Sequence, residues 1–112
     1  FMAAAYYKLD NLRVIIDRNG LQATGKTKER FDIGSIEEKM KAFGFEVLVI
    51  DGHDLDAIAE AFDRADQVKG KPVCIIADTI KGKGIPFAEG VASFHNGTLT
   101  EEQYEEALKV LG

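Results

Sequence analysis

An α/β fold, with a parallel sheet and flanking helices, is predicted by three observations. Three short apolar runs have the length of strands, amphipathic segments lie between them, and turn or capping residues mark the junctions. Strand, helix, strand, helix, strand is the alternation that builds a parallel sheet with right-handed crossovers. Ligands of such sheets bind outside the carboxyl ends of the strands. The loops after the three strands are therefore expected to face one crevice.

The elements follow in order. Met2, Ala5, Tyr6 and Leu9 recur at helical spacing among alanines, so the first eight or so residues read as the end of a helix. Residues 12–16, rich in β-branched side chains, read as a buried strand that Asp17-Arg18-Asn19-Gly20 closes with turn residues. Residues 21–34 show no sustained period and read as a long loop with room for a short strand or turn. Ser35 and Glu38 have the spacing of a capping box, which predicts a helix with the apolar stripe Ile36, Met40 and Phe43, ended by Gly44. Residues 45–50 form the second strand. Asp54 is the expected cap of a further helix with Leu55, Ile58, Ala59, Phe62 and Ala65 on its buried face. Residues 73–77 are continuously apolar, as suits a strand covered on both faces. Residues 80–98 are irregular and Gly-rich, and Thr100 with Gln103 makes a second capping box before a helix bearing Tyr104, Ala107, Leu108 and Leu111.

Composition narrows the function. The 112 residues carry 14 Lys plus Arg against 19 Asp plus Glu, a net charge of −5 with both His neutral, and 46% of them are hydrophobic. That fits one small globular domain. The acidic balance disfavours nucleic acid as a partner, because phosphate neutralisation needs clustered cations and only residues 69–83 are locally basic. No run approaches the roughly 18 apolar residues of a membrane span, so no membrane partner is expected. The single Cys74 excludes an intrachain disulfide and is compatible with a reducing, cytoplasmic location. The chain opens at Phe1 without the basic and apolar regions of a signal peptide, and is expected to be a piece of something longer.

Three groups of residues could carry chemistry. Asn19, its neighbouring main-chain carbonyls and Asp17 offer hard oxygen ligands suited to magnesium or calcium, although Asn-Gly is also a strong hairpin-turn signal. Lys81-Gly82-Lys83-Gly84 could cradle a small phosphate with main-chain amides and lysine charge, or could be a solvated basic loop. His95 could donate to a phosphate or relay a proton, and His53 reads more simply as a capping or loop residue.

Taken together, Tyr7-Lys8-Leu9-Asp10-Asn11-Leu12, Asp17-Arg18-Asn19-Gly20-Leu21-Gln22, Ala42-Phe43-Gly44-Phe45-Glu46-Val47, Asp51-Gly52-His53-Asp54, Lys69-Gly70-Lys71-Pro72, Thr79-Ile80-Lys81-Gly82-Lys83-Gly84 and Phe94-His95 resemble the N-terminal, thiamine-diphosphate-binding domain of transketolase. The resemblance runs from about Ala4 to Leu111, with the motifs in family order. It implies a partial thiamine-diphosphate-binding fold and thiamine diphosphate with magnesium or calcium as cofactors. In the same way it implies that Asn19 ligates the metal through its side chain and Leu21 through its main-chain carbonyl. Lys81 and His95 would hold the diphosphate end of the cofactor, with His95 also the catalytic candidate. The implied reaction moves a two-carbon ketol unit from a ketose phosphate to an aldose phosphate, in the pentose phosphate pathway.

The departures from the family pattern shape the expectation. The family motif begins with Gly-Asp-Gly roughly thirty residues before its Asn, whereas only 18 residues precede Asn19. The Asp that would be a principal metal ligand is absent, as is the domain that binds the aminopyrimidine ring. Asn96 stands where many members have Gly. The expectation is thus a single incomplete domain over residues 1–112, inactive alone, that works with the remainder of the enzyme or with a second subunit, the full enzyme being dimeric. Two alternatives stay open: a thiamine enzyme like deoxyxylulose phosphate synthase, and a non-catalytic α/β module for binding or assembly.

Overall fold

The computed structural model describes residues 1–112 as two compact units, Phe1–Arg18 with Ile33–Thr79, and Asn19–Asp32 with Ile80–Gly112. The first unit holds the main sheet. Its strands β1 (Arg13–Arg18), β4 (Glu46–Asp51) and β5 (Val73–Asp78) are all parallel, in the order β1-β5-β4. The second unit holds the hairpin strands β2 (Leu21–Gln22) and β3 (Gly25–Lys26), the one-turn helix α2 (Thr27–Arg30), a 3₁₀ turn over Ala92–His95 and the helix α5 (Glu101–Leu111). No helix is long and apolar enough to cross a membrane.

The continuous apolar run at 73–77 is explained by its place in the middle of the sheet. Val73, Cys74, Ile75, Ile76 and Ala77 are all buried because both sides of β5 are hydrogen-bonded and both faces are covered. Alternation splits them between two cores. On one face Cys74 and Ile76 pack with Met40 and Phe45 beneath α1 (Met2–Tyr6) and α3 (Ile36–Ala42), with Val14, Ile16 and Val47 alongside. On the other, Val73 and Ile75 pack with Leu48, Ala61 and Ala65 beneath α4 (Leu55–Gln67). Each fully buried Val or Ile contributes roughly 1.5–3 kcal/mol, so β5 anchors the unit.

Capping agrees with the sequence in two helices and in half of a third. Asp54 accepts from the amides of Asp56 and Ala57, and Thr100 and Gln103 form both arms of a capping box. Ser35 accepts from the Glu38 amide at 3.1 Å, but the reciprocal arm differs: its hydroxyl donates to the Glu37 carboxylate. Gly44, at φ +93°, ends the turn after α3 in a conformation that a side chain would strain.

Three sequence readings need correction. Residues 12–16 are not a buried strand: β1 lies on one side of the β1-β5-β4 sheet, with Val14 and Ile16 half-buried and Ile15 59% exposed. The buried face of α4 centres on Ala61 and Ala65, while Leu55 is 80% exposed and Phe62 39%. Small side chains let the helix lie close against Leu48, Val73 and Ile75, and the larger ones are turned aside. The Asn19-Gly20 pair is not a hairpin turn. A hairpin does form, but four residues later, with Leu21 opposite Lys26 and Gln22 opposite Gly25, so that Ala23 and Thr24 make its turn.

Candidate functional site

The strand register sets the ends of β1, β5 and β4 level. Arg18 and Asp51 both stand opposite Asp78, the last residue of the central strand. Main-chain bonds knit the exits together: the Gly52 amide donates to the Asp78 carbonyl at 2.7 Å, and the Thr79 amide to the Arg18 carbonyl at 3.5 Å. Gly52 is required by this proximity, since a Cβ there would lie 2.5 Å from Thr79 Cγ2 and 3.1 Å from the Asp78 oxygen.

Side chains reinforce the same edge on both faces. The Thr79 hydroxyl donates to Asp17 Oδ1 at 2.5 Å. Arg18 turns the other way, because alternate residues of a strand face opposite sides. It meets Asp78 with two donors, Nε to Oδ1 at 2.5 Å and Nη2 to Oδ2 at 2.8 Å, and its Nη1 donates to Glu37 Oε1 on α3. The bonds to Asp78 and then to Glu37 raise the Arg18 pKa further, and the Arg18 guanidinium holds both carboxyls below their ordinary values. The sequence offered Arg18 only as a turn residue. Its parity opposite Asp78 was the available signal, but it could be used only once the strand register was known.

All four residues singled out for cofactor and metal, Asn19, Leu21, Lys81 and His95, fall in the second unit. Asn19 Oδ1 accepts from the Leu21 amide at 2.9 Å, an Asx turn that fixes the side-chain carbonyl beside the main chain of Leu21. Leu21 then enters the β2–β3 hairpin, which packs along the 3₁₀ turn that ends at His95. Gly82 and Phe94 line one apolar pocket of about 420 Å³ together with Leu99, Tyr104 and Leu108. The chain neighbours of Lys81 and His95 thus share a wall. Lys81 is half-buried and His95 is exposed.

The Lys81-Gly82-Lys83-Gly84 loop is held by several internal bonds. Within it the Lys83 amide donates to the Ile80 carbonyl and the Gly84 amide to Glu89 Oε1 at 3.0 Å, and the next amide, that of Ile85, donates to the Gly82 carbonyl. The Gly90 amide closes the loop onto the Lys81 carbonyl at 2.9 Å. Gly82 is needed at φ +76°, where a Cβ would come within 2.7 Å of the Ala88 carbonyl oxygen. Charge for an anion comes from the side chains, and Lys83 already lies 3.7 Å from Glu89.

No three His, Cys, Asp or Glu side chains are grouped to hold a metal ion. The donor set on offer is instead neutral oxygen, the Asn19 amide carbonyl and the Leu21 main-chain carbonyl, which fits a hard cation shared with an anionic ligand. His53 serves its loop, where its amide donates to Asp51 Oδ1 at 2.8 Å. Cys74 is buried in the core, and desolvation raises its thiol pKa, so it is no nucleophile.

Comparison with known proteins gives one consistent result. The family described as transketolase, thiamine diphosphate binding domain, matches residues 1–112. The chain is 44% identical over 108 residues to one of the subunits of the apulose-4-phosphate transketolase of Phocaeicola vulgatus, covering 96% of this chain and 38% of that protein. It is 42% identical over 110 residues to the 6-deoxy-6-sulfo-D-fructose transketolase subunit SqwG of a Clostridium species, covering 98% and 40%. The chain therefore spans about two fifths of the length of these relatives. Among solved structures, transketolase from Campylobacter jejuni superposes with a TM-score of 0.88 at 35% identity, over 96% of this chain and 17% of that one. A transketolase mutant from Pichia stipitis superposes with a TM-score of 0.90 at 26% identity, over 99% and 16%.

Proposed function

Because the chain belongs to the transketolase family, in its thiamine-diphosphate-binding domain, we propose that it is the diphosphate-holding part of an enzyme that transfers a two-carbon ketol unit from a ketose phosphate to an aldose phosphate. The observation that carries this reading is the family match over the whole chain, with Asn19, Leu21, Lys81 and His95 all in one compact unit. Residues 1–112 are read as one incomplete cofactor domain whose remainder is supplied by further chain or by a second subunit. Two of the relatives are named as subunits of transketolases, which supports the second arrangement. A dimeric full enzyme and a cytoplasmic setting belong to the same proposal.

Each residue has a definite task. Asn19 Oδ1, already oriented by the Leu21 amide, and the Leu21 carbonyl are the oxygens that would ligate magnesium or calcium. Lys81 would neutralise the diphosphate as a compact positive charge, and the loop closed between Lys81 and Gly90 holds its backbone still. His95 would donate to the same anion and would hold a proton near the sugar. Thiamine diphosphate, when bound, supplies the carbanion stabilisation on which ketol transfer depends. The protein's share is to bind, orient and neutralise.

The test is made on the native assembly that contains this chain, supplied with thiamine diphosphate, magnesium, a ketose phosphate and an aldose phosphate. Ketol-transfer product is expected, together with calorimetric binding of the cofactor that weakens in both Asn19→Ala and His95→Ala. An intact assembly that yields no such product refutes the reading.

A further inference from the structure

The chain passes between its two units at three places, and two of them leave from the same edge. Arg18 is the last residue of the first unit before Asn19, and Thr79 is the last before Ile80 and Lys81. Within the first unit these departure points are joined four times. Arg18 holds Asp78 with two donors, the Thr79 hydroxyl reaches Asp17, and the Thr79 amide reaches the Arg18 carbonyl. Arg18 also binds Glu37, on the first turn of α3 and soon after the chain re-enters the unit at Ile33. One side chain thus ties β1, β5 and α3 together at the sheet edge.

We propose that Arg18 is a positioning residue for the cofactor site: by clamping Asp78 and Glu37 it fixes where the Asn19 and Lys81 segments leave the sheet. The proposal rests on the site reading given above. Its chemistry is specific to arginine. A planar guanidinium can meet Asp78 side-on and still offer Nη1 to Glu37, whereas an ammonium can serve these partners only as a point charge. A ligand held by groups from two separate segments is sensitive to small shifts of either one, so loosening the clamp should weaken binding more than it weakens the fold.

The experiment uses the native assembly and measures thiamine diphosphate affinity by calorimetry at saturating magnesium, kcat at saturating cofactor, and the melting temperature without cofactor. Arg18→Gln is expected to weaken cofactor binding about tenfold while kcat at saturation stays within about twofold. Asp78→Asn should behave similarly, and Arg18→Lys should recover part of the loss. Arg13→Gln is the control, because Arg13 makes a comparable pair with Asp66 at 2.9 Å at the opposite end of β1. It should lower the melting temperature and leave affinity unchanged. Unchanged affinity in both Arg18→Gln and Asp78→Asn overturns the proposal, as does equal weakening in Arg13→Gln. Should Arg18→Gln fail to fold, Arg18→Lys and Asp78→Asn decide on the same criteria. A wild-type assembly that binds no cofactor overturns the site reading itself, whereas wild-type binding with unaffected variants overturns only the role of Arg18.

Discussion

Glu89 Oε1 accepts a hydrogen bond from the Gly84 amide at 3.0 Å and lies 3.7 Å from Lys83 Nζ. A carboxylate therefore occupies, inside the glycine loop, a position that an anionic ligand could otherwise use. Glu89→Gln keeps an acceptor for the Gly84 amide and removes the negative charge. Attraction for a diphosphate should rise by about two- to fivefold at low salt, and the gain should fade as added salt screens it. Stability should change by no more than about 1 kcal/mol, the usual worth of an exposed ion pair. Cofactor titrations of the assembly at two ionic strengths check this, and an affinity that is indifferent to the substitution would mean that Glu89 serves the loop alone.

Gly52 gives a prediction about the sheet edge. An alanine Cβ would sit 2.5 Å from Thr79 Cγ2 and 3.0 Å from Ala77 Cβ, so Gly52→Ala must displace one of them. Overpacking of this kind costs about 1–3 kcal/mol. Thr79→Ser deletes the nearest methyl while keeping the hydroxyl that meets Asp17. The double variant Gly52→Ala with Thr79→Ser should therefore be more stable than the sum of the two singles implies. Thermal unfolding of the four proteins in the cycle measures the coupling, and strict additivity would contradict the close approach.

The contrast between these residues and the core shows what the sequence could reveal. The central strand was legible because Val73, Cys74, Ile75, Ile76 and Ala77 form an unbroken apolar run, and an unbroken run of that length has few other uses. The caps at Asp54 and Thr100 were legible for the same local reason. The phase of α4 was not, since Leu55 and Phe62 outweigh Ala61 and Ala65 in hydrophobicity although the alanines fit against the sheet. Asn19-Gly20 carried a hairpin signal, yet the side chain of Asn19 is turned to the Leu21 amide and the chain reverses at Ala23 and Thr24. Arg18, Glu37 and Asp78 could not be grouped in advance because the pairs span 19 and 60 positions and depend on parallel register. The four residues proposed for the cofactor were singled out through ordered motifs, whose spacing already encodes the fold that no single motif displays.

The same trio makes stability depend on acid. Arg18 holds the Asp78 and Glu37 carboxyls below their ordinary values of 3.8 and 4.5. A carboxyl whose folded pKa is depressed stabilises the protein above its unfolded pKa, and that contribution is lost as pH falls through the folded value. The melting temperature of the wild type should accordingly exceed that of Arg18→Gln by a constant margin above about pH 5.5, and the margin should shrink progressively from about pH 4.5 downward. Melting curves at half-unit steps of pH test it. A margin that widens in acid would show that the carboxyls are not held by Arg18.

Asn19 presents the sharpest separation between a turn and a ligand. Its Oδ1 accepts from the Leu21 amide at 2.9 Å, so Asn19→Ala removes both the Asx turn and the proposed metal oxygen. Serine discriminates, because a hydroxyl can restore a weaker form of the turn but is a poorer substitute for the longer amide carbonyl at a cation. Asn19→Ala should lose about 1 kcal/mol of stability and raise the magnesium concentration needed for cofactor binding by about tenfold or more. Asn19→Ser should recover much of the stability while its magnesium requirement stays close to that of the alanine variant. Magnesium titrations at fixed thiamine diphosphate, paired with thermal unfolding in chelator, read the two effects separately. If the serine variant regains both together, the oxygen of Asn19 serves the turn alone and the cation must be sought on other ligands.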